Sequence, residues 1–354
     1  MFTSPRLTSA TGSEFNAAKV MLFFGLCKNL FFYFDLSEKN STFAEKFVVG
    51  NMHKSGFVNI VGNPNVGKST LMNALVGERL SIITSKAQTT RHRILGILNG
   101  TVPAANGGEA VDWQIVFSDT PGVLKPNYRL QEQMLRFSES ALTDADILIY
   151  MTEAQDDAAR NADFLEKVKR TKAHLILVIN KIDLLTQESL ADLTGFWHKT
   201  LPDAEIVQIS AQQRFGTDQL LQRLVELLPE CPPFFDKDQL TDRPERFFVN
   251  EIIREKILLL YDKEIPYSVE VEVESFKETD DIINISAVIF VERDSQKGIL
   301  IGKAGAALKK TGTLARQDLE KFFAKKICLK LLVKVDKDWR QKDARLRHYG
   351  YDPA

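Results

Sequence analysis

Between residues 56 and 228, short apolar runs alternate with stretches whose apolar positions recur at helical spacing. The apolar runs lie at 57–61, 113–118, 146–151, 175–179 and 205–209, and the helical stretches at 67–76, 130–142, 158–170, 188–199 and 216–228. This alternation is typical of an α/β domain with a doubly wound, mostly parallel sheet and crossover helices. Ligands bind such sheets at the loops that follow the strands, so we expect the functional residues there.

The pattern changes after residue 244. A helix is predicted over 245–261, and the alternation of valine and glutamate over 269–274 indicates a strand with one solvated face. A second strand at 282–292, a helix, a glycine-containing turn, a long helix to about residue 326 and a last strand at 327–335 complete a domain of the α+β class.

Prolines and acidic residues between the two patterns predict a stiff, solvated linker over 230–243. We therefore predict one domain over 52–229 and a second over 244–354. The second domain ends in a basic tail, 334–347, which could lie along RNA and in which Trp339 is available to stack or to pack.

Residues 1–51 fit neither pattern. The stretch 20–36 is mostly apolar, but Lys28 and Asp35 interrupt it and it is shorter than the ~20 residues that a membrane-spanning helix needs. It could be the core of a signal peptide. We favour translation starting at Met52, with 1–51 a non-native or mis-started extension; a membrane-touching leader is the alternative.

Composition changes this picture little. The 354 residues are 44% hydrophobic and 26% charged, as in an ordinary globular protein, and the formal net charge of -1 says nothing about partners. The three cysteines are far apart and form no C-x-x-C, which predicts neither a disulfide framework nor a zinc site. A reducing, cytoplasmic setting fits best.

The first apolar run leads into a G-x-x-x-x-G-K-[ST] motif and then a helical pattern. In this order the motif predicts a phosphate-binding loop, whose backbone N–H groups surround a polyphosphate at the helix N-terminus. We expect Lys68 to reach the β and γ oxygens and Ser69 to hold Mg²⁺. The nucleotide-binding residues predicted here are Gly62, Asn63, Pro64, Asn65, Val66, Gly67, Lys68, Ser69 and Thr70.

Three later runs are each followed by a motif that suits a guanine nucleotide. In the D-x-x-G of residues 119–122, the carboxylate can hold Mg²⁺ through water and the Gly122 N–H can sense the γ-phosphate. In the N-K-x-D of residues 180–183, Asp183 can accept from guanine N1–H and its amino group, which selects GTP over ATP. These motifs predict a P-loop NTPase fold of the small GTPase type, with nucleotide contacts from Asp119, Thr120, Pro121, Gly122, Asn180, Lys181, Asp183, Ser210 and Ala211.

The segment 85–93 precedes the second run. A threonine there completes a Mg²⁺ shell only while a γ-phosphate is present; we assign this role to Thr90, with Thr89 as second choice. The predicted metal ligands are thus Ser69, Thr90 and Asp119. The neighbouring Arg91, His92 and Arg93 could form either a solvated basic face or an RNA-facing surface. The segment 99–112 is predicted to be a long exposed hairpin loop without chemistry.

Val123 stands where many signalling GTPases place a glutamine that orients the attacking water. We therefore expect slow intrinsic turnover, raised by a partner or an ion. The side-chain oxygen of Asn65 could help to hold K⁺ beside the phosphates. The predicted catalytic set is Lys68, Asn65, Thr90 and Gly122, and no side chain is assigned as general base.

A G-x-x-G with a lysine inside, between two helices, suits the grip of a KH module on single-stranded nucleic acid. The order helix, strand, strand, helix, G-x-x-G, helix, strand fits a type II KH domain, and nearby lysines supply a basic surface. The predicted RNA-binding residues are Ile301, Gly302, Lys303, Ala304, Gly305, Lys309 and Lys310.

From Met52 onward, the phosphate loop, the segment 86–93, the N-K-I-D, the KH motif and the ending 338–352 together resemble the Era family of bacterial GTPases. The resemblance implies a factor that binds the 3′ region of 16S ribosomal RNA through its KH domain, coupled to the nucleotide state, and assists 30S subunit assembly. It also implies peripheral association with the inner membrane. Two departures are Ala304, at a position usually glycine, and a longer segment at 99–112.

The resemblance also leads us to expect a cytoplasmic monomer. We expect it to bind Mg²⁺, and K⁺ with the help of Asn65. Three other functions compete with this one. A related GTPase of tRNA modification lacks support because no catalytic cysteine motif is present. The others are a membrane-associated switch in which RNA binding is secondary, and an RNA-binding scaffold with a vestigial nucleotide site, although no phosphate-contact residue is missing.

Overall fold

The computed structural model describes residues 53–103, 110–154 and 161–352. The predictions for 1–51 and for the centre of the 99–112 segment lie outside these residues. Among the described residues, no helix combines the length and the apolar character needed to cross a bilayer.

A six-stranded sheet forms the first domain. The strands are β1 (His53–Gly62), β2 (Ile94–Val102), β3 (Val111–Asp119), β4 (Ile147–Thr152), β5 (His174–Ile179) and β6 (Glu205–Gln208). Five strands are parallel, β2 alone is antiparallel, and the spatial order is β2-β3-β1-β4-β5-β6. The helices are α1 (Lys68–Val76), α2 (Arg129–Ser140), α3 (Ala162–Lys169), α4 (Gln187–Thr200) and α5 (Thr217–Leu227).

Helices cover both faces of this sheet, because its central strands are apolar on both sides. Leu71 and Leu224, from α1 and α5, pack on one face. Phe164 and Trp197, from α3 and α4, pack on the other. The predicted doubly wound α/β class is confirmed.

The second domain has the predicted type II KH order. Its sheet runs β7-β8-β9, with β7 antiparallel to β8 and β8 parallel to β9, and α6 and α9 pack on it. The elements are α6 (Glu245–Leu260), α7 (Ile265–Ser268), β7 (Glu270–Glu278), β8 (Ile282–Val291), α8 (Asp294–Ile301), α9 (Ala306–Phe323), β9 (Lys326–Val335) and α10 (Asp343–His348). The short α7 was not predicted.

The strand β2 was also not predicted, and the loop assignment for 99–112 was wrong at its two ends. Residues 99–102 belong to β2 and residues 111–112 to β3, where Val102 pairs with Val111. The reason is that Asn99 and Gly100 are poor strand formers by sequence, whereas the pairing with β3 supplies the missing stabilisation.

The linker, predicted to be stiff and solvated, is exposed at residues 232–233 and 236–238 but packs on the first domain at other positions. Phe234 packs against Phe57 with ring centroids 4.7 Å apart, and the Gln114 amide bonds the backbone of residues 234 and 235. Farther on, Ile97 N–H donates to the Leu240 carbonyl at 2.8 Å. The linker therefore covers the open edge of β2, which would otherwise expose unpaired backbone groups.

The basic tail packs between the domains. Trp339, Leu346 and Tyr351 are buried against the α2 residues Leu130, Met134 and Phe137. The indole N–H of Trp339 donates to the Ser268 carbonyl at 3.0 Å. Of the two roles predicted for Trp339, the structure therefore shows packing.

Candidate nucleotide site and nucleic-acid loop

The phosphate loop is folded tightly between β1 and α1. Gly62 and Gly67 have φ of 149° and 105°, in the region that side chains avoid. A Cβ at Gly62 would lie 2.2 Å from the Met151 carbonyl, and one at Gly67 would lie 2.3 Å from the Asn180 amide nitrogen. Only glycine fits at either position, which is why the motif needs both.

The ammonium of Lys68 is buried within this loop. Its Nζ donates to the carbonyls of Gly62 at 3.0 Å and Asn63 at 2.8 Å. These bonds hold the positive charge under the loop, beside the N-terminus of α1, where the macrodipole also favours an anion.

Three oxygen-bearing side chains converge beside Lys68. Ser69 Oγ donates to Asp119 Oδ2 at 2.6 Å and lies 2.9 Å from Thr90 Oγ1, which is 3.4 Å from the same carboxylate oxygen. Thr89 Oγ1 instead bonds Thr84 at 2.6 Å and the carbonyl of Lys86 at 2.6 Å. The structure thus places Thr90, rather than Thr89, with Ser69 and Asp119.

This donor set fits Mg²⁺, which prefers hard oxygen ligands. Asp119 is fully buried, and its Oδ1 has no hydrogen-bond partner of normal geometry among the described residues. Burial raises the pKa of Asp119, although the Ser69 hydroxyl and the Lys68 charge oppose this. A buried carboxylate of this kind gains most from a cation close by.

At the other end of the cleft, Asn180 joins three loops. Its amide donates to the Val66 carbonyl at 2.8 Å and its oxygen accepts from Ala211 N–H at 2.9 Å. Lys181 donates to the Asn65 carbonyl at 2.8 Å and pairs with Glu153 at 2.5 Å. Asp183 is exposed at this end. The N-K-x-D motif is therefore braced against the phosphate loop, and its carboxylate remains accessible.

Of the remaining predicted positions, Gly122 and Asn65 line the same cleft, whereas Thr120 and Pro121 are buried beside it. Gly122 lies against Pro64, where a Cβ would come within 2.7 Å of the proline backbone. Thr120 donates to the Ile60 carbonyl at 2.7 Å, and the Pro121 carbonyl accepts from Ser138 at 2.8 Å. Asn65 donates to the Ser85 carbonyl at 3.0 Å, and thereby links the phosphate loop to the segment 85–93.

Both interpretations of Arg91, His92 and Arg93 were wrong, because none of the three faces solvent. Arg91 is fully buried and donates to the carbonyls of Val269 at 2.7 Å and Pro266 at 3.1 Å, while 3.3 Å separates it from Glu270.

The side chains of His92 and Arg93 also contact other residues of the protein. His92 stacks on Tyr351, with ring centroids 4.3 Å apart, and Arg93 binds Asp144 inside the first domain at 2.5 Å. Glu270, predicted on a solvated strand face, is buried because Arg91 and the Tyr351 hydroxyl, at 2.6 Å, bond it.

The G-x-x-G loop joins α8 to α9 in strained backbone. Gly302 has φ 72° and ψ 176°, and a Cβ there would lie 2.6 Å from the Ala307 Cβ. Ala304 is left-handed at φ 50° and ψ 30°. Ile301 precedes the loop and is half-buried. The loop ends at Gly305, the N-cap of the 18-residue α9, whose dipole favours phosphate.

Lys303, Lys309 and Lys310 are exposed on and beside this loop. The ion pairs of the described residues do not include them, whereas the neighbouring Arg316, Lys321 and Lys325 each bind a carboxylate. The loop therefore presents positive charge that is available to a phosphate backbone.

Sequence reasoning missed Asn161 and Arg254. Asn161, at the start of α3, donates to Asn63 Oδ1 and, at 3.0 Å, to the Val123 carbonyl. Arg254 on α6 donates to the Thr89 carbonyl. Neither residue belongs to a short motif, and the helical pattern of α6 identified only its apolar positions.

Comparisons with known proteins agree with this geometry. A family profile described as 50S ribosome-binding GTPase matches residues 57–181, and one described as KH domain matches 264–340. The chain is 47% identical over 304 residues to the GTPase Era of Syntrophus aciditrophicus (strain SB), covering 85% of this chain and 96% of that protein. It is 42% identical over 301 residues to the GTPase Era of Staphylococcus haemolyticus (strain JCSC1435), covering 84% and 97%.

Solved structures are similar over the same region. Era in complex with MgGDPNP and nucleotides 1506–1542 of 16S ribosomal RNA matches with a TM-score of 0.78 and 37% identity, over 85% of this chain and 100% of that chain. A variant of Aquifex aeolicus Era bound to GDP·AlF4⁻ matches with a TM-score of 0.78 and 37% identity.

Fold and site together define a P-loop GTPase that carries a C-terminal KH domain. The D-x-x-G and N-K-x-D loops stand at the ends of their strands, and the G-x-x-G loop lies between its two helices. At 42% to 47% identity over nearly the whole length of those relatives, the chain belongs to the GTPase Era family.

Proposed function

We propose that this GTPase is an RNA-sensing switch that binds the 3′ region of 16S ribosomal RNA and assists assembly of the small ribosomal subunit. The observation that carries the proposal is the direct contact between the segment 85–93 and the KH domain. Arg91 and Thr89, on either side of Thr90, are both held by residues of that domain. A change at the γ-phosphate can therefore reach the domain that carries the G-x-x-G loop.

We assign the nucleotide roles as follows. Lys68 stabilises negative charge on the β and γ oxygens, and Gly122 N–H meets the γ-phosphate. Asn180 and Lys181 brace the guanine pocket, Asp183 accepts from the base, and Ser210 and Ala211 approach its O6 through their backbone. Mg²⁺, when bound, would neutralise charge between the phosphates, and Ser69, Thr90 and Asp119 would hold it.

Val123 cannot orient a water molecule, because its side chain is apolar and buried. Its backbone is fixed too, since its N–H donates to the Gly62 carbonyl at 3.1 Å. We therefore assign the extra positive charge needed for rapid turnover to K⁺ held with the help of Asn65. Replacing potassium by sodium should slow hydrolysis by about tenfold or more, as loss of one transition-state contact does. Equal rates in the two salts would contradict this assignment.

For the RNA partner, the support is the solved Era complex with a 16S ribosomal RNA fragment, together with the exposed lysines of this chain's own G-x-x-G loop. Lys303, Lys309 and Lys310 would neutralise phosphates, and Gly302 and Gly305 allow the backbone close to the strand. We propose that binding to the 30S subunit uses the same loop.

The test is GTP hydrolysis by the chain from Met52 onward in potassium buffer, with and without a short RNA from the 3′ end of 16S ribosomal RNA. We expect RNA to stimulate hydrolysis, and we expect the double variant G302D/G305D to lose the stimulation while it retains its basal rate. Hydrolysis indifferent to RNA, with no RNA binding, would overturn the assembly role.

We place this function in the cytoplasm; the alternative is a membrane-associated switch in which RNA binding is secondary. Fractionation of cells that express the chain from Met52 separates the two. Sedimentation with 30S subunits supports the proposal, whereas sedimentation with membranes after the ribosomes are removed supports the alternative.

A further inference from the structure

The carbonyl of Thr89 accepts a hydrogen bond from the second domain. Arg254 Nη2 on α6 donates to it at 2.5 Å. This carbonyl belongs to the peptide group that also contains the Thr90 N–H. The bond therefore fixes the plane of the peptide that leads into Thr90, and both partners are buried.

Arg254 is itself held in one orientation. Its Nε and Nη2 donate to the two carboxylate oxygens of Glu251, one turn earlier on α6, at 2.8 and 2.5 Å. The arginine is 1% exposed, so its charge and fork geometry are well defined. An immobilised guanidinium can fix a loop carbonyl at little further entropic cost.

With this peptide held, Thr90 lies where binding of GTP requires it. Thr90 Oγ1 lies 2.9 Å from Ser69 Oγ, inside the oxygen cluster of Asp119. A threonine of this kind is engaged only in the presence of the γ-phosphate, so pre-placing it favours GTP over GDP.

We propose that Arg254 is a positioning residue of the GTPase site, supplied by the KH domain, which raises the affinity for GTP relative to GDP by holding Thr90 in place. The inference rests on the proposed function and names one residue through which the two domains communicate. By linkage, GTP must favour the docked arrangement of the domains to the same extent.

The test compares the affinities for GDP and for a non-hydrolysable GTP analogue, each with Mg²⁺. Removing Arg254 alone would leave Glu251 buried and unpaired, so the variant is R254M/E251Q, which removes both charges. We expect about tenfold weaker binding of the analogue, the effect of losing one charge-assisted hydrogen bond, and GDP binding within about twofold of wild type. The KM for GTP should rise accordingly.

Two matched controls isolate the contact. The single variant E251Q leaves one side-chain oxygen to accept from Arg254, so the guanidinium stays oriented on Thr89. The variant R79A removes another link between the domains, the ion pair between Arg79 and Glu255, which does not touch the segment 85–93. Both should keep the wild-type ratio of the two affinities. An equal loss for both nucleotides in R254M/E251Q, no loss at all, or a selective loss in R79A would overturn the inference.

If R254M/E251Q does not fold, as judged by circular dichroism, R254K takes its place. Lysine offers one donor without the fork, so we expect about threefold weaker binding of the analogue alone. An unchanged ratio would overturn the inference. Failure of the wild-type chain to bind GTP would instead contradict the proposed function, which keeps the two outcomes distinguishable.

Discussion

Ala304 shows how a single residue can carry strain inside a binding loop. It adopts φ 50° in the G-x-x-G loop, where a side chain costs on the order of 1 kcal/mol and glycine costs nothing. Ala324, after the end of α9, has nearly the same backbone at φ 51° and ψ 28°. The two alanines therefore form a matched pair, one in the loop and one away from it.

We expect A304G and A324G each to raise the free energy of unfolding by about 0.5–1 kcal/mol, because glycine relieves the left-handed strain. Urea denaturation measures this. Only A304G should also bind RNA more tightly, by roughly threefold, because glycine lets the backbone of this loop approach the phosphates more closely. An equal change of RNA affinity in A324G would show that the effect is not local.

Among the elements, the C-terminal segment 338–351 has the most unexpected role. Its Trp339 and Tyr351 lie against α2, the helix that follows the D-x-x-G motif. Arg340 also has a partner, because it forms an ion pair with Glu292 of its own domain. A segment that looks like a basic tail in sequence thus connects the KH sheet to both nucleotide-sensing parts of the first domain.

We expect W339A to lower the free energy of unfolding by about 3–5 kcal/mol, because the indole is fully buried and leaves a cavity. The exposed aromatic variant F215A serves as control and should change it by less than about 0.5 kcal/mol. Chemical denaturation followed by fluorescence gives both values. A loss below about 1 kcal/mol in W339A would mean that the segment is not part of the folded interface.

On the scale of the whole molecule, the two domains meet through a buried interface that combines polar contacts with aromatic and aliphatic packing. His92 lies at its centre, stacked on Tyr351 and near Arg91, Arg243 and Arg254. Burial, and then these three positive charges, lower the pKa of His92 well below its usual value. The acidic groups around the adjacent cavity are Glu251, Glu270 and Glu272, and each already has a basic partner.

The sign of the resulting pH dependence follows from proton counting. Below about pH 6.5 the unfolded chain binds a proton at His92 that the folded chain does not bind, so stability is lost as the pH falls. We expect the drop in unfolding free energy between pH 7 and pH 5.5 to be smaller in H92Q by about 1 kcal/mol. The exposed H198Q should retain the wild-type drop, and an identical drop in H92Q would show that His92 protonates freely.

The short motifs of this chain could be recognised in the sequence because each is formed by residues that are neighbours in the chain. A phosphate loop, a D-x-x-G and an N-K-x-D each place backbone and side chain within four to eight residues, and each follows an apolar strand. The G-x-x-G of the KH domain is equally local, although it lies between two helices. The fold class followed from the same patterns, since hydrophobic periodicity reflects which faces are buried.

What the sequence determined was therefore the pair of domains, the nucleotide motifs and the family. Only the tertiary structure decided that Arg91 and His92 are buried at a domain interface, that the linker covers the edge of β2, and that Arg254 reaches Thr89 across 165 residues of sequence. A charged residue has the same local pattern whether it faces water or a partner. Its burial depends on partners that are distant in the chain, and these are brought together only by the folded arrangement of both domains.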